Sequence, residues 1–386
     1  MKDVGQQSAA MGSLRQAVPY IRMFKGKTFV VKVGGAALAA EAGGSSLGSG
    51  GGVAARAGAP GAPAAAGTIA AILEQISVFH QVGIRVVLVH GGGPQSTALS
   101  RALGAEPRFV GGRRVTDDAA LEVATLVLNG AVNTRLLAAC RAAGLPAVGL
   151  SGVAAGLIEA RRRPPVPLAP SPAPPAAAAA AAGGAGMIDY GHVGDVVAVD
   201  PLALETLLGA GMVPVVSPLS ADGGGALLNV NADTAAAALA VALRAEKLLL
   251  LTGAPGILER PGDPGSLVSL TDLAGLARLR ERGCLADGML PKASSIEAAL
   301  RGGVRRVHIV GAGVPDGLLA EVFTNEGAGT LVVADAAAAA AGAEAGSAAA
   351  PGGQPGPAAP SQPRPPQPHQ PSQPPRPPGA SSRASR

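Results

Sequence analysis

An open three-layer αβα sandwich with a mostly parallel central sheet is the fold this sequence predicts, on three observations. Apolar runs of strand type recur along the chain, segments of helical periodicity separate them, and two of the runs stop at glycines ahead of a helix.

Taken in order, the chain first offers "LRQAVPYIRMF", residues 14–24, where Leu14, Val18, Ile21 and Phe24 recur at helical spacing and demand a cover from their own domain or from another subunit. "KTFVVKVGG" is a strand running into Gly34 and Gly35; 67–82 is helical; "IRVVLVHGGG" is a second strand running into Gly91, Gly92 and Gly93, with Pro94 placed to open a helix. A long helix is expected over 117–143, closed by Gly144 before the strand "PAVGLSG". "HVGDVVAVD" alternates like a strand, 201–209 is helical and "MVPVVSPL" is a buried strand. "ADTAAAALAVALRA" has high helix propensity, with Asp233 in the first turn where the macrodipole favours a carboxylate. The strand "EKLLLLTGAPGIL", a helix near 290–301 and the strands "VRRVHIVG" and "GTLVVAD" complete the series.

Three stretches lack the apolar side chains that offset ordering entropy: about 41–66, about 162–186, and the Pro- and Ala-rich tail 336–386, which reads as disordered. The expected organisation is a helical extension over 1–26, one domain over 27–335 carrying the two inserts, and the tail. The 386 residues have a formal charge of +5, but Arg161, Arg162, Arg163 and the tail account for it, so no nucleic-acid footprint is expected. No secretory leader and no Leu-, Ile- or Val-rich span of membrane length is read, which with two cysteines, Cys140 and Cys284, makes a cytoplasmic, membrane-free protein the expectation. Neither cysteine has a partner at metal-ligand spacing, and no metal site is assigned.

Bare backbone between a strand and a helix suits an anion, because glycines let N–H groups approach oxygens and the helix adds its dipole. Two such corners at the carboxyl ends of strands face one cleft. "GKT" at 26–28 is not a P-loop, since Ile21 stands where the first glycine belongs and the triplet precedes its strand. Phosphoryl transfer needs charge neutralisation more than covalent help. Lys32 and Lys292 are the candidates for it, Asp233 for holding both ammonium groups, and Asn229 and Asn231 for hydrogen bonds to a small polar substrate. His90 is assigned no catalytic role.

With "KTFVVKVGGAAL", "VVLVHGGGPQ", "GGRRVTD", "LNGAVNTRLL", "GHVGDV", "NVNADTAAAALA", "LLLLTGAPGIL", "DGMLPKA" and "EVFTNEGAGT" in this order, the chain resembles the acetylglutamate kinases of the amino-acid kinase superfamily over about 14–334, the inserts excluded. The resemblance implies the amino-acid kinase fold and ATP-dependent phosphorylation of the side-chain carboxylate of N-acetylglutamate in arginine biosynthesis, with Mg2+ accompanying ATP. It implies that Lys32 and Lys292 stabilise the moving phosphoryl group and that Asp233 organises them. Gly34, Gly35, Gly92 and Gly93 would cradle phosphate and acyl oxygens, Arg114 would grip the substrate α-carboxylate, and Asn229 would contact the acetylated end. Nucleotide would lie over the C-terminal half near Thr252, Gly253 and Gly256. A homo-oligomer, dimer or hexamer, and an arginine effector acting through the N-terminal helix are implied as well.

The chain departs from the family where Gly253 replaces an acidic residue, where Ala154 and Ala155 replace Asp, and where a Gly-rich insert follows Leu38. Two alternatives stay open: a kinase for a carrier-protein-bound aminoadipate or glutamate, which Arg113 beside Arg114 and the run Arg161–Arg163 would suit, and a non-catalytic amino-acid-binding module of the same fold.

Overall fold

The computed structural model describes residues 4–39, 68–111, 113–167, 186–260, 262–285 and 288–336, which form one compact unit. The insert 41–66, most of 162–186 and the tail lie outside the described residues.

Eight strands make the central sheet: β1 (Thr28–Val33), β2 (Arg85–His90), β3 (Ala147–Ser151), β4 (Val213–Ser217), β5 (Lys247–Thr252), β6 (Leu270–Asp272), β7 (Arg306–Gly311) and β8 (Thr330–Val333). Their spatial order is β6-β8-β7-β5-β1-β2-β4-β3, parallel throughout except for the β7 and β8 pair. The mostly parallel sandwich expected from the sequence is the fold observed. β1 sits centrally, with Lys32 level with Val89 of β2 and with Leu250 of β5.

Alternation along the strands sorts side chains onto two cores, because successive residues point to opposite faces. Phe29, Val31 and Val33 of β1 pack with Ile72, Leu73, Ile76 and Phe79 of helix α2 (Ile69–Gln81) on one side. Val30 packs on the other with Ala236, Leu239 and Ala240 of the Ala232–Ala242 helix and with Ile296 of the Met289–Arg301 helix. Lys32 is two residues on from Val30 and shares its face.

The N-terminal helix α1 (Val4–Phe24) runs through Pro19 without a break. Its last turns are covered by the domain itself: Phe24 is buried, with Ala17, Tyr20 and Ile21 packed beside it. Ring contacts run from Tyr20 through Phe24, Phe29 and Phe79 to Phe323, so four of the five phenylalanines in this aromatic-poor chain line one seam. Beneath it Lys247 Nζ lies 4.8 Å from the centre of the Phe24 ring and 3.1 Å from His308 Nε2, while His308 Nδ1 is 2.6 Å from Glu321 Oε1.

Three sequence expectations are corrected. The helix expected over 117–143 is divided, Asp118–Thr125 and Asn133–Ala142 flanking a π-helical stretch Leu126–Val132 whose wider turns no heptad-like pattern reveals. This run, Asp118–Ala142, is also long and apolar enough by composition to cross a membrane, Ala adding to the Leu and Val content; 44% of its most apolar window is buried against the rest of the fold. Finally, the second insert begins later than expected: Arg162 ends a strand (Ile158–Arg162), and Val166–Pro167 pairs with Met187–Ile188. Strands of two to five residues carry too few alternations to be read from periodicity, which also hid Leu219–Ala221 and Leu227–Val230. These two close a small four-stranded barrel with Ile158–Arg162 and Val193–Val199 beyond the ends of β3 and β4.

Candidate active site

A cavity of about 1060 Å³ opens at the carboxyl end of β1 and β2, and Lys32, Gly35, Gly91, Gly92, Gly93, Arg114, Asn229 and Asn231 are among the residues on its wall. The two glycine corners meet there. A Cβ on Gly35 would come within 2.7 Å of Pro94, so this close approach admits no side chain. Gln95 Nε2 donates to the Gly35 carbonyl at 3.1 Å and ties the corners together.

Beneath the glycines, the Lys32 ammonium stands 2.9 Å from Asp233 Oδ1 and the Lys292 ammonium 3.0 Å from Asp233 Oδ2. All three side chains are nearly buried, 8–11% exposed. Local structure explains the meeting. Asn231 caps the helix Ala232–Ala242, its Oδ1 accepting from the N–H groups of Asp233 and Thr234 at 2.8 and 3.1 Å, which puts Asp233 in the first turn facing β1. The helix Met289–Arg301 packs alongside, joined by a 3.3 Å contact between the Thr234 and Ser295 hydroxyls, and brings Lys292 to the other carboxylate oxygen.

Burial alone would push the Asp233 carboxyl up, but the charges of Lys32 and Lys292 outweigh it and hold Asp233 below the usual aspartate value. Burial lowers Lys292, with Asp233 opposing that shift and Lys32 adding to it. Two ammonium groups around one carboxylate carry a net positive charge, and of the three side chains Lys32 is the one that lines the cavity beside the glycines, while Asp233 and Lys292 are off its wall. Such an arrangement can neutralise an anion in the cavity.

Arg114 reaches the cavity from the short hairpin of Phe109–Val110 and Arg113–Arg114, donating to Thr97 Oγ1 at 2.5 Å and to the Gly93 carbonyl at 3.3 Å. Its guanidinium lies 4.8 Å over the Phe109 ring, and burial lowers its pKa from the ordinary arginine value. Asn229 donates from Nδ2 to Thr116 Oγ1 at 3.2 Å. Asn231 is on the wall, but its oxygen is committed to the helix cap rather than offered to the cavity.

The remaining candidates stand apart. Gly34 packs against β5, where a Cβ would be 3.2 Å from the Leu251 carbonyl. Thr252 ends β5 and Gly253 and Gly256 follow it, all three off the cavity wall. Thr252 Oγ1 donates to the Ala254 carbonyl at 2.6 Å, and Gly256 is a packing glycine whose added Cβ would meet Thr330 Oγ1 at 2.5 Å. Gly253 is exposed, with nothing within 4 Å of an added Cβ, so the acidic side chain missing there has room. Ala155 adopts φ +52°, a left-handed conformation that Asn or Asp tolerates better than Ala. Gln95, Thr97 and Asn133 are not singled out by the sequence; "GGGPQST" and "NGAVN" hold them, but nothing in their spacing shows that these segments meet.

Residues 27–311 match the Amino acid kinase family. The acetylglutamate kinase of Myxococcus xanthus is 46% identical over 325 residues, covering 84% of this chain and 94% of its own length. That of Symbiobacterium thermophilum is 42% identical over 320 residues, 83% and 96% of the two chains. Among solved structures, the N-acetylglutamate synthase from Neisseria gonorrhoeae complexed with coenzyme A and N-acetyl-glutamate superposes with a TM-score of 0.64 at 30% identity, over 84% of this chain and 64% of that one. The same synthase complexed with coenzyme A and L-arginine gives 0.63 at 27% identity, over 84% and 66%. The resemblance read from the motifs is thereby borne out: this chain belongs to the amino acid kinase family.

Proposed function

We propose that the protein is an acetylglutamate kinase, transferring the γ-phosphoryl group of ATP to the side-chain carboxylate of N-acetyl-L-glutamate in arginine biosynthesis. The observation that carries the reading is the Lys32, Asp233 and Lys292 cluster beneath the two glycine corners. A carboxylate oxygen attacks the γ-phosphorus, the bond to the ADP oxygen breaks, and an acyl phosphate and ADP result. The nucleophile is already ionised at neutral pH, so no general base is needed; the reference value for Glu is ~4.3. Lys32 and Lys292 neutralise the charge on the transferring group, and Asp233 holds them in register. Arg114 pairs with the substrate α-carboxylate, Asn229 with the acetamido end, and the N–H groups of Gly35, Gly92 and Gly93 with phosphate and acyl oxygens. Nucleotide extends toward Thr252, Gly253 and Gly256, where Gly256 serves through packing.

Among the described residues no three His, Cys, Asp or Glu side chains cluster as a metal cage. Mg2+ is therefore assigned to the phosphates of ATP, where it supplies further charge neutralisation. The protein is proposed to be cytoplasmic and a homo-oligomer, dimer or hexamer, with arginine as an effector that acts through the seam between α1 and the domain. Light scattering with and without residues 1–26, and activity with and without millimolar arginine, test those points.

A second reading has one observation in its favour: Arg113 shares the cavity wall with Arg114, a second guanidinium beyond the one that a free acetylamino acid requires, whereas Arg163 on the same wall is paired with Asp195. A carrier-protein-bound aminoadipate or glutamate would use that second guanidinium. Hydroxylamine trapping of the acyl phosphate decides, comparing N-acetylglutamate with glutamate, aspartate and aminoadipate. Hydroxamate with N-acetylglutamate supports the first reading, and none with any of the four overturns it.

A further inference from the structure

The kinase reading depends on where the N–H groups of the second glycine corner point, and the inference below rests on that reading. His90 closes β2 with no exposed surface. Its Nδ1 lies 3.1 Å from the Gly91 carbonyl oxygen, and its Nε2 lies 3.0 Å from Asn133 Nδ2. The same Asn133 nitrogen is 3.1 Å from the Val215 carbonyl of β4.

These contacts permit one proton arrangement. A backbone carbonyl only accepts, so the Asn133 atom beside Val215 is the amide nitrogen, and its two N–H groups are divided between Val215 and His90. His90 Nε2 must then accept. The ring's single proton sits on Nδ1 and is donated to the Gly91 carbonyl. Burial lowers His90 to about 4, against a smaller opposing effect of the Gly91 hydrogen bond, so the ring is neutral where enzymes of this kind work.

Anchoring that carbonyl has a geometric consequence. In a trans peptide the C=O and the N–H of the next residue point to opposite sides, and the described chain has no cis peptide. Holding the Gly91 oxygen on the imidazole therefore turns the Gly92 N–H the other way, toward the cavity that Gly91, Gly92 and Gly93 line. No acceptor among the described residues takes that N–H. We propose that His90, oriented by Asn133, is a positioning residue that aims the Gly92 N–H at the oxygens of the transferring phosphoryl group and its acceptor.

The surroundings are shaped to hold this pair. A Cβ on Gly149 of β3 would fall 2.2 Å from Asn133 Oδ1, so a glycine there makes room for the amide. A Cβ on Gly92 would fall 2.7 Å from Leu128, which lines the same cavity and packs closely against the loop. Leu128 belongs to the π-helical stretch Leu126–Val132, and Asn133 directly follows it. The wider turn thus sets both the packing residue and the orienting amide against one glycine corner.

Two measurements test the proposal on the whole protein. The first is independent of catalysis: nitrogen NMR of labelled histidine, with His90 assigned by through-bond correlation to its backbone. The expected result is a neutral ring protonated at Nδ1 from about pH 8 down to about pH 5. A proton on Nε2, or titration near 6.5, overturns the proposal whether or not the chain proves to be a kinase. The second compares His90→Asn, which keeps an N–H donor where Nδ1 stands, with His90→Gln, which keeps a polar group only where Nε2 stands. His90→Asn is expected to keep kcat within about threefold, while His90→Gln loses about tenfold or more with both KM values within about threefold. Equal losses in the two variants, or losses that follow their melting temperatures, overturn it. If neither substitution folds, the tautomer measurement decides alone.

Discussion

Lys32 and Lys292 come from opposite ends of the domain's sequence and hold the two oxygens of one carboxylate, that of Asp233, at 2.9 and 3.0 Å. Each lysine is buried, and each would be costly there without the aspartate.

Lys32→Ala and Lys292→Ala are expected to lower kcat by about 100-fold or more while changing KM little, since their attraction to the phosphoryl group grows as charge moves in the transition state. Steady-state kinetics with both substrates check this. A rise in KM at constant kcat would show that the lysines bind rather than stabilise the transition state.

Asp233→Asn leaves two buried cations facing a neutral group, and about 3–5 kcal/mol of unfolding free energy should be lost along with activity. Urea titration measures it. The pH dependence has a definite sign: the folded pKa lies below the ordinary value of 3.8, so the stabilisation is complete above about that pH and disappears as pH falls through the folded value.

Arg114→Ala should raise the KM for the amino-acid substrate about 10- to 100-fold, the worth of a charge-assisted pair to a carboxylate, with the KM for ATP nearly unchanged. An effect confined to ATP would place the two substrates the other way round.

Stability should climb with pH across the acid range. His90 and His308 are each lowered to about 4 by burial, against 6.5 when free. Between those values the unfolded chain binds more protons than the folded one, so stability falls as pH drops through that window, by about 3 kcal/mol for each ring. Lys247, pushed down to about 7 by burial and by Arg306, extends the rise from there toward 10.5. Urea midpoints at a series of pH values check the slope.

Ala155→Asn should raise the melting temperature, because the position is left-handed at φ +52° and an alanine there costs about 1 kcal/mol that an asparagine largely avoids. Calorimetry reads the shift.

The strands of the central sheet other than Leu270–Asp272, the two glycine corners and the identity of the charged trio were legible in the chain itself. Strand runs such as "TFVVKV" and "KLLLLT" are local patterns, and a glycine corner is a few adjacent residues, so short-range chemistry suffices to find them. That Lys32 and Lys292 were joined to Asp233 rested on motif resemblance, since nothing local says that residues 59 and more positions apart share an ion pair. Tertiary structure alone decided the rest. The alternation of β1 puts Lys32 on the face of the Ala232–Ala242 helix, whose Asn231 cap then aims Asp233 at it. The π-helical stretch, the two-residue strands around Arg114 and the divided amide of Asn133 have no sequence period to betray them. They exist because separate elements pack together, and packing partners are set by the whole fold rather than by neighbours in the chain.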